Sequence, residues 1–184
     1  MTKTMTDIES LTDLATNLYR HILMRASLSE MESAAIWYRD AEGVAQDIAT
    51  LGDVSLDVAA CIIAAFSPRE RWSTNIAKAT AFALGDKPKG LSNNLRMAEN
   101  ALTQGFDALK GLKTNAFARA IAGDTHAVVI DVWMCRAANL GTDSPNVTQY
   151  RALTAAVNNV AREFDITPRT AQALIWIIVR GSAV

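Results

Sequence analysis

Two residue types capable of covalent and electrostatic catalysis stand eighteen positions apart, an amine at Lys113 and a carboxylate at Asp131. Lys113 follows the turn residue Gly111, and Asp131 follows the β-branched run Val128-Val129-Ile130. Each sits where a helix is expected to begin. A neutral amine attacks carbon and forms a Schiff base. A carboxylate stabilises developing positive charge or activates a nucleophile. The positive end of a helix and partial desolvation together favour the neutral form of an amine, and both are expected at Lys113. Residues 109–140 are therefore expected to organise the chain, with both groups facing one cleft. Plainer roles compete. Aspartate is also among the best N-caps, a role compatible with catalysis, and a single lysine is usually solvated. Trp133 and Trp176 read as core, and His21 and His126 as structural.

A second stretch, Ser67-Pro68-Arg69-Glu70-Arg71-Trp72, has serine as cap, proline at the first helical position and Glu70 closing a capping box. Arg69, Arg71 and Trp72 put two cations and an aromatic ring on that segment.

The elements that must position these groups all read as helices. Apolar residues recur at helical spacing throughout, with no period-two alternation and no internal repeat. Ile8, Leu11, Leu14, Leu18, Ile22 and Leu23 predict a helix over 7–26. Ser29 and Glu32 predict a capping box for the next, with Met31, Ala34, Ala35, Tyr38, Ala41, Ala45 and Ile48 on one face, Gly43 as a weak point and Gly52 as its end. Ser55 caps a third helix over 58–66, apolar nearly all round and so central. Further helices are expected over about 68–84, 92–103 and 112–121, after Asp131, from Ser144-Pro145 and from Thr167-Pro168. The predicted architecture is a compact all-α globule of about nine helices, one domain over residues 1–184.

Composition bounds the function. Half of the residues are apolar, a fifth are charged and the net charge is −1. No global basic field advertises nucleic acid, so any such binding needs a local patch. Cys61 and Cys135 lie amid apolar residues and read as buried thiols. No Cys/His cluster has metal-ligand spacing, and neither metal nor cofactor is expected. The apolar runs are too short to span a bilayer and residues 1–6 lack a signal core. A cytoplasmic protein is expected, with no membrane partner.

Gly111-Leu112-Lys113-Thr114 followed by Val129-Ile130-Asp131 resembles the helix-hairpin-helix DNA glycosylase superfamily, the endonuclease III-like proteins. Members carry a Leu-Pro-Gly-Val-Gly-x-Lys-Thr-Ala hairpin, a helix, and then Val-Asp-Thr-His-Val-x-Arg-Val. The Lys–Asp separation matches, and Arg136 falls where the family has an arginine. Residues 62–67 with Asn75, Lys78 and Ala79 look like the family's Leu-Leu-Ser-Ala-Gln…Asn-Lys-Ala segment, and Arg69 falls near the glutamine that probes DNA. The compact size and the Ser-Pro-Arg-Glu-Arg-Trp segment are similar to small phage-borne members. Two departures stand out: the hairpin is two residues shorter, with one glycine and with Lys110 in place of proline, and there is no iron–sulfur cluster.

The resemblance implies an enzyme that extrudes a damaged, mismatched or modified base from DNA and cleaves its N-glycosidic bond. Asp131 would be the essential carboxylate and Lys113 the nucleophile, with lyase activity following. Ser67, Arg69, Arg71, Trp72, Asn75, Lys110, Gly111 and Thr114 would contact the DNA. Two alternatives remain: group transfer onto a nucleobase in phage DNA hypermodification, favoured by the short hairpin and mildly acidic pI, and a non-catalytic nucleic-acid-binding module.

Overall fold

Burial in this chain follows side-chain size as much as apolar pattern. The computed structural model describes residues 2–181; Met1 and residues 182–184, part of the single domain expected, lie outside them. Among the described residues the chain is all-α, with nine α-helices, one short 3-10 helix and no strand. The helices are α1 (Thr2–Leu23), α2 (Leu28–Gly52), α3 (Leu56–Phe66), α4 (Trp72–Ala83), α5 (Ser92–Gln104), α6 (Leu112–Ile121), α7 (Val132–Ala137), α8 (Val147–Glu163) and α9 (Pro168–Arg180). The 3-10 helix, Gly105–Ala108, lies between α5 and α6. Internal contacts divide the chain into two compact units. A terminal unit comprises the chain up to Trp37 and from Thr125 onward, and a middle unit comprises Tyr38–Asp124.

In the terminal unit α1 packs on α8 and α9, and α7 on α9. The inward face of α1 is Ala15, Thr16, Tyr19 and Leu23, and Leu14, expected inward, is exposed. Asn159 donates to Thr16 across the α1–α8 contact, and Arg20 grips Glu163 through two nitrogens at 2.6 and 2.7 Å. That pair is solvent-screened and adds little.

In the middle unit α3 is the central rod. Residues 59–66 are all buried, as the apolar run predicts. Four of them are alanines, whose small side chains let α4, α5 and α6 pack closely around one helix. Gly52 serves the same end: a Cβ there would come within 2.8 Å of the Ala83 Cβ, so the ends of α2 and α4 meet where only glycine fits. Gly43, expected to weaken α2, lies within the unbroken helix and faces open space.

Three caps differ from expectation. The α2 box is Ser27 with Glu30, two residues before Ser29: Glu30 accepts from the Ser27 backbone and hydroxyl at 2.7 Å each. Its carboxyl is thereby held below the usual range. Ser67 does not open α4 but closes α3, its hydroxyl donating to the Ala64 carbonyl at 2.9 Å. Residues 67–70 then form a turn with Glu70 N–H on the Ser67 carbonyl, and Arg71 is the uncapped start of α4. Asn146, not Ser144, caps α8 in a reciprocal box with Gln149. At α2 and α8 a short polar residue two positions away offered equivalent capping chemistry, whereas Arg71 at the start of α4 supplies no capping side chain. Ser55 and Thr167 cap α3 and α9 as expected.

Candidate active site

Asp131 caps α7, the role its position predicts. One carboxylate oxygen, Oδ1, accepts the backbone N–H of Trp133 at 2.9 Å and of Met134 at 3.1 Å. The other, Oδ2, accepts the indole N–H of Trp176 at 3.0 Å, reaching from α9. A carboxylate has about four acceptor positions, so three bonds leave roughly one, on Oδ2. The residue is half-buried.

The backbone around Asp131 is held from both sides. The Tyr150 hydroxyl, on α8, donates to the Val128 carbonyl and accepts the Ile130 N–H, at 3.0 and 3.2 Å. The Tyr19 hydroxyl, on α1, donates to the Met134 carbonyl at 3.0 Å. The Tyr150 bonds satisfy main-chain groups of the extended segment before α7, and Tyr19 adds a second bond to the Met134 carbonyl, which also accepts the Ala138 N–H. Burial is the main reason both phenols resist ionisation. Tyr150 is pushed up to about 12, and Tyr19 is raised further, with Cys135 and Asp131 adding charge repulsion.

Trp176, expected in the core, is half-buried and stacks on Trp37 with ring centroids 5.8 Å apart. The Arg180 guanidinium lies 4.6 Å from the Trp176 ring centre. Trp133, also expected in the core, is half-buried, with Arg136 at 5.0 Å. Arg136 is itself bound to Asp143 at 2.8 Å. Aromatic faces, guanidinium groups and one carboxylate thus gather within this unit.

The middle unit holds the other predicted residues. Lys113 is the second residue of α6, at the helix mouth as expected. It is exposed, so the partial desolvation expected of it is not found. It makes no ion pair or side-chain hydrogen bond with another described residue. Gly111 is the N-cap of α6 and supplies no capping side chain. Lys110 is exposed beside it, and Thr114 is half-buried. The turn is braced by Asn115, whose side-chain N–H groups donate to the carbonyls of Phe106 and Leu109 at 2.8 and 3.2 Å.

Along the Ser67–Asn75 wall, Trp72 meets Phe117 edge-on at 6.5 Å, bringing α4 to α6 one turn past Lys113. Glu70 pairs with Lys78. Arg69 and Arg71 are exposed and make no ion pair with a described residue. Arg69 adopts φ 65°, a left-handed conformation that costs a non-glycine residue about 1 kcal/mol. Asn75 is 2% exposed, and its side-chain oxygen has no hydrogen-bond partner.

Sequence reasoning missed Trp176, Tyr19, Tyr150 and Asn115 as supports. Helical spacing does not mark them: Trp176, Tyr19 and Tyr150 bond to residues at least 20 positions away, and Asn115 bonds back into the turn before its own helix. One missed signal was legible: residues 67–119 contain nine Lys or Arg against four Asp or Glu. The near-neutral total hides this local excess. No group of three or more His, Cys, Asp or Glu able to hold a metal occurs among the described residues. No single described helix is long and apolar enough to cross a membrane.

No curated protein and no solved structure matches this chain. One family profile does, over residues 1–183, and by that match the chain belongs to DUF7178, a family of unknown function.

Proposed function

We propose that the protein is a DNA glycosylase-like enzyme that extrudes a damaged, mismatched or modified base and breaks its N-glycosidic bond, acting in the cytoplasm of a bacterial or phage-infected cell. The observation that carries this reading is the Asp131 carboxylate, fixed by three hydrogen bonds and left with about one acceptor position. As the C1′–N bond breaks, its electron pair leaves with the base and positive charge gathers on the sugar. A preorganised carboxylate offsets that charge without reorganising. Lys113 supplies the amine that takes up C1′, forming a Schiff base as the sugar ring opens. The excess of exposed cations over residues 67–119, Arg69, Arg71, Lys110 and Lys113 among them, fits phosphate contacts. Ser67, Trp72, Asn75, Gly111 and Thr114 complete the proposed DNA-facing set.

The exposure of Lys113 favours a second reading, in which Asp131 acts without a lysine adduct and a base is exchanged or modified. Borohydride trapping on an abasic-site duplex separates the two. A covalent adduct in wild type that is lost in Lys113→Ala supports the lysine mechanism. No adduct, under conditions that trap a known lyase, removes it.

A further inference from the structure

Trp176 does more than pack. Its N–H donates to Oδ2, the oxygen not occupied by the α7 amides. An indole has one donor and no acceptor, so the bond engages one lone pair of Oδ2 and leaves the other without a described partner. The ring is itself fixed, stacked on Trp37 and covered by Arg180. Tyr150 and Tyr19 hold the backbone on either side of Asp131, so the carboxylate cannot follow a moving indole without breaking those bonds. The cap alone would orient Oδ1 and leave Oδ2 determined only by the plane of the group.

We propose that Trp176 is the positioning residue of the reaction, and that Oδ2 of Asp131, aimed by the indole N–H, is the oxygen that faces the developing positive charge on the sugar. This rests on the glycosylase-like reading of Asp131. The sequence could not show it, since Trp176 lies 45 residues away on another helix. Arg136, at the far end of α7, is engaged by Asp143 and does not compete for Oδ2 in this structure.

The test compares two duplexes that differ at one nucleotide: one carries a cationic pyrrolidine in place of the sugar, the other a neutral tetrahydrofuran. A catalyst complementary to a cationic transition state prefers the cationic mimic. Wild type is expected to bind the pyrrolidine duplex at least tenfold more tightly, and Asp131→Asn to lose that preference. Trp176→Phe keeps an aromatic ring and removes the N–H. It is expected to cut the preference at least threefold while leaving tetrahydrofuran affinity unchanged. Trp37→Phe disturbs the stack but not the N–H and is expected to keep the preference. Circular dichroism melts confirm that each variant is folded, and loss of the Trp176 indole cross-peak shift in Asp131→Asn, read by NMR, reports the bond in otherwise unaltered protein. Undiminished preference in folded Trp176→Phe overturns the positioning role while the glycosylase-like reading stands. An equal loss in Trp37→Phe also overturns it, assigning the effect to packing. No preference in wild type removes both.

Discussion

Two helix N-termini in this protein are built in opposite ways. At α7 the capping aspartate is tied to two amides and an indole, and two buried tyrosines hold the flanking backbone. At α6 the cap is a glycine without a side chain, and the neighbouring lysine is exposed with no described partner. A group held on three sides is preorganised for an event that needs fixed charge. An uncapped, cation-rich helix end suits a partner that brings its own negative charge. On the proposed reading, the contrast fits a fixed carboxylate at Asp131 that offsets charge and an exposed amine at Lys113 that reaches the sugar.

The sharpest way to break this comparison is truncation at each end. Asp131→Ala removes the cap and strands the Trp176 N–H, and a loss of about 2–4 kcal/mol in urea denaturation is expected. Lys113→Ala should stay within about 0.5 kcal/mol of wild type. Similar losses at both positions would erase the distinction.

The next effect is at Tyr150. Tyr150→Phe leaves the Val128 carbonyl and Ile130 N–H unpaired and should cost about 1–3 kcal/mol. The same phenol gives a pH signature. Its folded value is near 12 against an ordinary 10, so the unfolded chain releases its proton first. Over that interval the folded state binds more protons, and stability must fall as pH rises from about 10 to about 12. Tyr150→Phe should flatten that part of the stability–pH curve, leaving the contribution of Tyr19.

A smaller effect, of opposite sign, is expected in the middle unit. Asn75 buries an oxygen without a partner. Asn75→Leu removes that unsatisfied group and should raise stability by roughly 1 kcal/mol. If Asn75 reads substrate, the same variant should weaken DNA binding, a gain in stability bought with function. Smallest of all is the change at Arg69. Arg69→Gly relieves the left-handed backbone and, on the proposed reading that Arg69 contacts phosphate, should lower the salt slope of DNA binding by about 1.

Much of the fold was legible because helix starts are written in local chemistry. Ser55, Asp131 and Thr167 were found from cap residue and following pattern alone. Where two candidate caps lie within a few residues, as at Ser27 and Ser29 or Ser144 and Asn146, the choice depends on tertiary packing that spacing does not encode. The Ser67-Pro68 segment was misread for a different reason: a serine hydroxyl can donate as well as accept, and here it donates to close the buried α3 instead of accepting to open α4. At the site, position was readable but environment was not. Asp131 and Lys113 have equal standing in the sequence, and only folding makes one held and the other exposed.

The most direct test of the central claim is mass spectrometry of DNA incubated with wild type and with Asp131→Asn, using duplexes that carry a panel of damaged and modified bases. The account predicts a free base released by wild type and absent with Asp131→Asn. Free base produced equally by both proteins, or by neither across the panel, would contradict it.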